Sequence, residues 1–368
     1  MAKKTTQQQQ YLSSEEIKIL AKVSKDIFYF SHFIWVINPV LGRVRFDLYP
    51  YQKSVLYNFL KERFNIILKF RQAGITELIS MYCLWLAMYH SNKKINIISI
   101  KDTIAKKVLK KIKFMYKNLP WYLQTPIING RTGEYGSAST MEFSNGSIIE
   151  SIPTSDQAGR SESLSLLVID EAAIVRWAAQ IWAAAFPTLS TGGSAIVNST
   201  PFGVGGFYHS TWVDAISGSN PFNPIRLYWQ MHPDRDQDWY DEMATALGPK
   251  RTAQEIDGDF LSSGNTVFDL ADIKSIEEML TEYPPIKMRL GGQYREFNEP
   301  DPNTDYFIGA DCATGRGTDY SSFTCMSKEG EEAVVYKGKI PLDKYAKLLG
   351  DTGEKFNYAK IAPESNDI

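Results

Sequence analysis

The sequence predicts an α/β fold with a mainly parallel sheet, and two patterns along the chain indicate it. First, short apolar runs alternate with longer stretches in which apolar residues recur at helical spacing. Second, the apolar runs have no polar face, which is typical of strands that helices cover on both sides. These runs read NIILKF, INIISI, LSLLVID and SAIVNST. A chain of 368 residues with 43% hydrophobic content is long enough for more than one core.

Local signals predict the elements between these runs. Ser13 and Glu16 have the spacing of a capping box at the start of a first amphipathic helix. NIILKF is followed by a helical pattern to about Tyr89, and INIISI is followed by a lysine-rich helix. MEFSNGSIIES carries Asn145-Gly146 between two short alternating segments, which predicts a β-hairpin.

Composition changes along the chain predict the domain boundaries. A helix is expected around Trp182, and residues from about 221 to 260 have an aromatic, helical pattern that a proline-rich stretch then ends. The predicted segments are a flexible tail at 1–12, a first domain at 13–262, a linker at 263–304 and a second domain at 305–368. YFIGAD, FTCMS, EAVVYKG and AKIAPE are the strands expected in the second domain. Because that domain is small for a sheet with helices, we expect it to be cut short.

Composition also limits the cellular compartments and the binding partners that are expected for the chain. No secretory pattern and no apolar stretch of membrane-spanning length is found in the sequence, so neither export nor membrane insertion is expected. Three widely spaced cysteines form no disulfide or zinc pattern, and a reducing cytosol fits them best. A net charge of −2 does not indicate nucleic-acid binding. The helix from Lys101 to Lys117 has a basic face that either contacts nucleic acid or is simply solvated.

Residues 69–76 predict a phosphate-binding loop with a displaced cation. A standard loop has Gly at its first and sixth positions, Lys at the seventh and Ser or Thr at the eighth. Here Gly74 and Thr76 hold the sixth and eighth positions, Ile75 replaces the lysine, and Lys69 replaces the first glycine. A strand, a tight turn and a helix N-terminus would together aim backbone N–H groups at a phosphate. The expected ATP-contacting residues of the loop are Lys69, Arg71, Gln72, Ala73, Gly74, Ile75 and Thr76.

The missing lysine leaves three interpretations of this loop. Lys69 or Arg71 supplies the phosphate-binding charge, or the loop is an inactive nucleotide site, or the match is a coincidence. In the first interpretation Thr76 also binds Mg²⁺ through its hydroxyl.

A pair of acids strengthens the first interpretation. Asp170 and Glu171 directly follow the apolar run Leu166 to Ile169. This is the Walker B arrangement, in which the first acid binds the Mg²⁺ of a neighbouring phosphate loop and the second polarises a water. One acid at a strand end is common, whereas a pair in this position is much less so.

Further candidates lie at other strand ends. Ser199 and Thr200 follow a strand where an ATPase sensor lies beside the γ-phosphate. Before the first strand, Gln52 is a candidate for hydrogen bonding to an adenine edge and Tyr51 for stacking on it, although a core position explains the tyrosine equally well.

Carboxylates also end two strands of the predicted second domain. Asp311 follows YFIGA and Glu364 follows AKIAP, with Asp319 between them in sequence. Carboxylates at neighbouring strand ends can hold divalent ions that activate water for phosphodiester cleavage.

Taken in order, these motifs resemble the large terminase subunit of tailed bacteriophages, the ATPase and nuclease that packages viral DNA. The resemblance runs from about Leu48 to the end of the chain. It rests on YPYQ, KFRQAGIT, VIDEAA, NSTPFGVGGFYHSTW, AQEIDGDFLSSGNTVF and DCATGRGTDYS. It implies a P-loop ATPase of the ASCE or RecA-like type, followed by a partial RNase H-like nuclease domain.

The resemblance also implies roles for single residues. Loops of the RQxGxT kind occur in this family, so Lys69 and Arg71 become the phosphate-contacting candidates. Arg160 becomes a candidate arginine finger that reaches a neighbouring subunit. Ser199 and Thr200 become the residues that couple hydrolysis to DNA movement.

For the nuclease, the resemblance implies that Asp311 and Glu364 are the first two metal-binding acids. The third acid of the family has no counterpart before Ile368, so we expect the nuclease to be incomplete and inactive in this chain.

The implied cofactors are ATP and Mg²⁺, with Mg²⁺ or Mn²⁺ at the nuclease site. The implied partners are double-stranded DNA, the portal protein of the procapsid, the small terminase subunit and further copies of the chain in a ring. The implied location is the cytoplasm of the infected bacterial host, transiently at the portal vertex. Two alternatives remain: a helicase-like ATPase that remodels nucleic acid, and a docking subunit that does not hydrolyse ATP.

Overall fold

The computed structural model describes residues 11–130, 135–155, 158, 163–260, 276, 279, 283–313 and 320–364. The chain divides into two compact units, Met1–Thr266 and Val267–Ile368. Each unit is built on its own large sheet.

The described helices of the first unit are α1 (Ser14–Val23), α2 (Ile27–Ser31), α3 (Pro50–Lys61), α4 (Ile75–Tyr89), α5 (Asp102–Lys117), α6 (Ala178–Ala185), α7 (Gly206–Ile216), α8 (Gln237–Leu247) and α9 (Pro249–Thr252), the last followed by a π-helical turn at Ala253–Asp257. The capping box is confirmed at the start of α1. Glu16 N donates to Ser13 Oγ, and Ser13 N donates to Glu16 Oε2.

The strands of the first unit are β1 (Trp35–Asn38), β2 (Gly42–Arg45), β3 (Phe64–Leu68), β4 (Lys94–Ile98), β5 (Thr140–Glu142), β6 (Ile148–Ser151), β7 (Leu166–Asp170), β8 (Ser194–Ser199) and β9 (Asn223–Arg226). β1 and β2 form a separate antiparallel pair. The other seven form one sheet in the order β5-β6-β4-β7-β8-β3-β9. All its pairs are parallel except β5 with β6, so the predicted parallel sheet and the predicted hairpin are both confirmed.

Helices cover both faces of this sheet, as the apolar runs without a polar face predict. Along β3, Ile67 packs into the cluster that contains α4 and α5. Ile66 and Leu68 pack into the cluster that contains α6 and α7. Successive strand residues point to opposite faces, so a strand buried on both sides needs apolar residues at every position.

The expectation of a purely helical pattern at 221–260 is wrong at its start. Residues Asn223–Arg226 form β9, which pairs parallel to β3 as an outer strand. The four residues are too few to show a two-residue alternation, and they include Pro224. Proline is tolerated on an outer strand, where its missing N–H costs no ladder bond.

The second unit contains strands β10 (Lys287–Arg289), β11 (Tyr294–Glu296), β12 (Tyr306–Asp311), β13 (Ser321–Ser327), β14 (Glu332–Gly338) and β15 (Lys360–Pro363), with helix α10 (Leu342–Lys355). They form a mixed sheet in the order β10-β11-β14-β13-β12-β15, in which β12 and β15 are parallel. The four strands expected after 305 are therefore present.

The expected linker at 263–304 needs a correction. It contains β10 and β11, and β11 pairs with β14, so both strands belong to the second sheet. Each has only three residues, which is too short for an alternating pattern to stand out from the surrounding prolines.

Within the part of the chain that the structure describes, no helix combines the length and the apolar character needed to cross a bilayer.

Candidate nucleotide site

The carboxyl ends of β3, β7 and β8 meet at one edge of the first sheet, as expected for neighbouring parallel strands. A cavity of about 910 Å³ opens there. The phosphate-loop residues Lys69 to Thr76, with the exception of Phe70, line it, and so does Glu171. Ligands of open α/β sheets bind at this edge, because the strand-to-helix loops gather there.

The loop has the left-handed backbone that its glycine predicts. Gly74 has φ +70° and directly precedes α4, and Gln72 has φ +62°. A Cβ added at Gly74 would lie 2.5 Å from Gln52 Nε2. The position therefore requires glycine both for its backbone conformation and for the space beside Gln52.

Lys69 is buried and forms an ion pair with the second Walker B acid. Its residue is 5% exposed, and its Nζ lies 2.9 Å from Glu171 Oε1. Glu171 itself has φ +56°, a left-handed conformation that is uncommon outside glycine. The fold thus brings the displaced loop cation and the candidate catalytic acid together.

Asp170 is held from two sides. Thr76 Oγ1 lies 3.3 and 3.4 Å from its two carboxylate oxygens, and Asn198 Nδ2 donates to Oδ1 at 2.8 Å. Burial raises the pKa of Asp170, while Lys69 and the two hydrogen bonds act in the opposite direction. Asn198 was not among the predicted site residues, although its place at the end of SAIVNST, opposite Asp170 in the strand register, is the signal that could have identified it.

Ser199 and Thr200 are buried beneath the loop. Lys69 N donates to the Ser199 carbonyl at 3.1 Å, and Ser199 Oγ accepts from Ala173 N just after the Walker B acids. Tyr208, a fully buried residue of α7, donates its hydroxyl hydrogen to the Ile67 carbonyl at 2.5 Å, with the Ser199 carbonyl 3.3 Å away. The end of β8 is thereby connected to the strand that leads into the loop.

Gln52 and Tyr51 brace the loop from the first turn of α3. Gln52 Oε1 accepts from Tyr49 N, and Gln52 Nε2 donates to the Ala73 carbonyl at 3.1 Å. The Tyr51 hydroxyl donates to the same carbonyl at 2.9 Å. Gln52 is 1% exposed, and both the oxygen and the nitrogen of its side-chain amide form hydrogen bonds with backbone atoms of the protein. Contact of either residue with adenine stays a prediction.

Two other loop residues have surroundings that the sequence does not reveal. Ile75, at the position of the missing lysine, is 1% exposed and packs into the core cluster around α4. Arg71 points away from Lys69: its side chain is 65% exposed and pairs with Glu255 at 3.1 Å. A segment after β9 also lines the cavity, and sequence reasoning missed it; its lining residues are His232, Asp234, Arg235 and Trp239.

The lysine-rich face of α5 interacts with the first unit itself. Lys106 pairs with Asp102 at 2.5 Å, and Lys111 pairs with Glu77 of α4. Lys113 donates to the carbonyl of Ser137. Contact of this face with nucleic acid stays a prediction.

Arg160 and Asp319 lie outside the described residues. In the second unit, Asp311 ends β12 and Glu364 follows β15, which runs parallel beside it. Glu364 N donates to the Ala310 carbonyl at 2.7 Å, so the two acids stand at adjacent strand ends. No group of three or more candidate metal ligands occurs among the residues that the structure describes.

Comparison with known proteins assigns the family. The family model described as "Terminase large subunit, T4likevirus-type, N-terminal" matches residues 66–275, which is more than half of the chain. The chain belongs to the terminase large-subunit family. The matched range of this terminase begins within β3 and includes the phosphate loop, the Walker B acids and Ser199.

Two curated relatives come from Thermus viruses. The large terminase subunit of Thermus virus P23-45 is 30% identical over 226 residues, which cover 56% of this terminase chain and 43% of the relative. The large subunit of Thermus phage G20c is 30% identical over 184 residues, which cover 45% and 35%. The chain thus spans less than half of the length of these relatives.

The crystal structure of the HK97 bacteriophage large terminase is similar in fold. Its TM-score with this terminase is 0.50 at 14% identity, and the match covers 93% of this chain and 74% of the HK97 chain.

Proposed function

We propose that this chain hydrolyses ATP and uses the energy to move double-stranded viral DNA into a procapsid. Two contacts beside the cavity carry the proposal: the ion pair of Lys69 with Glu171 and the hydrogen bond of Thr76 with Asp170. A P-loop ATPase needs a cation on the phosphates, a hydroxyl and a carboxylate for the metal, and a group that orients the attacking water. Membership of the terminase family supports DNA packaging as the work that hydrolysis drives.

The residues around Asp170 fit Mg²⁺. Thr76 and Asp170 offer oxygen atoms, which this hard cation prefers. Asn198 Oδ1, beside Asp170, is buried without a hydrogen-bond partner in the described part of the chain, so a further oxygen acceptor is available there. Bound Mg²⁺ would offset the negative charge of the phosphates.

Glu171 acts as the general base that accepts a proton from the attacking water. In the present structure its carboxylate is paired with Lys69. Phosphate oxygens compete for the same ammonium group, because they are strong acceptors with a higher negative charge. Binding of ATP therefore draws Lys69 onto the phosphates and leaves the Glu171 carboxylate available to water.

The remaining assignments extend the same proposal. Arg160 serves as an arginine finger on a neighbouring subunit, and Ser199 and Thr200 couple hydrolysis to DNA movement. The partners are the portal protein, the small terminase subunit and further copies of the chain in a ring, in the cytoplasm of the infected bacterium. Asp311 and Glu364 contribute to a nuclease site that uses Mg²⁺ or Mn²⁺.

Two alternative functions have less support from the structure. A helicase-like ATPase requires a second RecA-like domain, whereas the second unit has a mixed sheet in which β12, β13 and β14 are antiparallel neighbours. A docking subunit without hydrolysis has no physical need for Asp170 and Glu171 to stand beside the loop.

The test is ATP turnover with and without double-stranded DNA, in the parent and in Glu171→Gln. The variant keeps the shape of the side chain and removes its basicity, so turnover should fall by about 10²–10⁴-fold while ATP binding persists. Glu354→Gln, a change at an exposed position of α10, is the control and should leave turnover unchanged. Full turnover in Glu171→Gln would assign the base to another residue, and absence of turnover in the parent would favour the docking subunit.

A further inference from the structure

Arg235 is a half-buried cation on the wall of the nucleotide cavity. It lies in the segment between β9 and α8, which no sequence motif marked. Its guanidinium carbon lies 4.7 Å from the ring centre of Phe70 and 4.3 Å from that of Trp239. The two rings fix the position of the guanidinium, since cation–π contacts and packing both favour it there.

This guanidinium reaches the phosphate loop itself. Arg235 Nη1 donates to the Arg71 carbonyl at 3.2 Å, in the middle of the loop. A guanidinium has five N–H donors in a planar fork, so this bond leaves most of them available.

Arg235 differs from Lys69, Arg71 and Lys111 in having no carboxylate partner among the residues that the structure describes. Lys69 is paired with Glu171, Arg71 with Glu255 and Lys111 with Glu77. For Arg235, the described residues place no carboxylate oxygen within 4.0 Å of the guanidinium nitrogens. Its chain neighbour Asp234 accepts instead from the Tyr49 hydroxyl.

A charge held partly out of water without a counterion is costly, and an anionic ligand removes that cost. Burial lowers the pKa of Arg235, which is the sign of this desolvation. The anion that fits a cavity ending in a phosphate loop is a polyphosphate, because phosphate oxygens accept two parallel N–H bonds from one guanidinium.

We propose that Arg235 binds the phosphate chain of the nucleotide as a second cation beside Lys69. This inference rests on the proposed function, and it assigns to Arg235 the part that the sequence suggested for Arg71. The three cations near the phosphates then have different partners. Lys69 contacts the phosphates and Glu171, Arg71 pairs with Glu255, and Arg235 contacts the phosphates from the segment before α8.

The experiment measures the affinity of the full chain for ADP and for inorganic pyrophosphate in three variants. Arg235→Ala and Arg235→Gln should each weaken both ligands by about 10- to 100-fold, the range expected for a lost hydrogen bond to a charged group. Arg235→Lys should recover part of the loss, because it keeps the charge and loses the fork. The glutamine variant still has an amide donor for the Arg71 carbonyl, so it separates charge from loop bracing.

Arg226→Gln is the matched control. Arg226 also lies over an aromatic ring, that of Tyr228 at 4.9 Å, and donates to a backbone carbonyl, that of Asp257 at 3.3 Å. It does not line the cavity. Its loss should change neither affinity.

Four results would overturn the inference. Parental affinity in Arg235→Gln would reduce Arg235 to a brace of the loop. Weakened ADP binding with unchanged pyrophosphate binding would place Arg235 on the base or the ribose. Unchanged affinities in all three variants of a parent that turns over ATP would refute this inference alone, whereas a parent that binds neither ligand would refute the proposed function as well.

Discussion

Lys69 and Arg71 are two residues apart in the loop, yet the fold gives them opposite surroundings. The Lys69 side chain is 7% exposed and points to Glu171, whereas the Arg71 side chain is 65% exposed and points to Glu255. From sequence alone either cation can replace the missing lysine. The structure favours Lys69, because its ammonium group is already beside the candidate catalytic acid.

We predict that Lys69→Ala lowers kcat/KM for ATP by about 100-fold, which corresponds to roughly 2.7 kcal/mol of transition-state stabilisation. Arg71→Ala is the matched comparison and should lower it by less than about 3-fold, because an exposed ion pair contributes little. Steady-state ATP turnover of both variants is the measurement. Equal losses in the two, or none in Lys69→Ala, would contradict the assignment.

Ile75, at the loop position where a lysine is usual, lies in the core. At the seventh loop position the side chain is 1% exposed and belongs to the core around α4. In this backbone a lysine there would need to bury its ammonium group among apolar side chains or leave the core. An apolar residue at this position is therefore consistent with a working loop, provided that the charge comes from elsewhere.

At the scale of elements, the junction of β3 with α4 depends on a brace from α3. Gly74 turns the chain, and Gln52 and Tyr51 hold the Ala73 carbonyl next to it. The brace consists of two hydrogen bonds that join residues 22 and 21 positions apart in the chain. It sets the position of the helix N-terminus that faces the cavity.

We predict that Gly74→Ala weakens ATP binding and lowers the free energy of unfolding by roughly 1–2 kcal/mol, the cost of a left-handed conformation at a residue with a Cβ. The new Cβ would also displace Gln52 Nε2 from its position 2.5 Å away. Thermal unfolding and ATP affinity are the measurements. Gly350→Ala, in α10 where an added Cβ meets nothing within 4 Å, is the control and should not destabilise the chain. Parental stability and affinity in Gly74→Ala would show that the turn does not need glycine.

At the scale of the whole molecule, the two units gather different sets of polar side chains. The first unit gathers cations, a hydroxyl and carboxylates around a cavity, as a nucleotide site needs. In the second unit Asp311 and Glu364 stand at adjacent strand ends, and the described residues there form no group of three metal ligands. Two-metal cleavage needs ligands on both sides of the scissile phosphate.

We predict that this chain does not cut supercoiled plasmid efficiently with Mn²⁺ or Mg²⁺, while the same preparation hydrolyses ATP. The physical reason is that, among the described residues, Asp311 and Glu364 are the carboxylates that stand at adjacent strand ends, and two carboxylates do not fix two ions roughly 3.5–4 Å apart. Gel analysis of plasmid over time is the measurement, and ATP turnover shows that the protein is folded. Rapid cleavage that disappears in Asp311→Ala would show that the site is complete.

The sequence by itself determined the α/β class, the parallel sheet and the positions of the phosphate loop and the Walker B acids. Strands buried on both faces leave continuous apolar runs, and their polar ends mark the edge where the site forms. It missed β1, β2, β9, β10 and β11, because strands of three or four residues have no readable period. β5 and β6 are equally short, and the Asn145-Gly146 turn between them is what predicted them.

Only the tertiary structure shows where each candidate cation lies and what it contacts. Lys69, Arg71 and Arg235 are all basic, and their surroundings differ through partners that lie far away in sequence, namely Glu171, Glu255 and the ring of Phe70. The same holds for Asn198, whose amide meets Asp170 only because β7 and β8 are neighbours. Contacts between distant segments depend on how the chain packs, and no local pattern in the sequence records them.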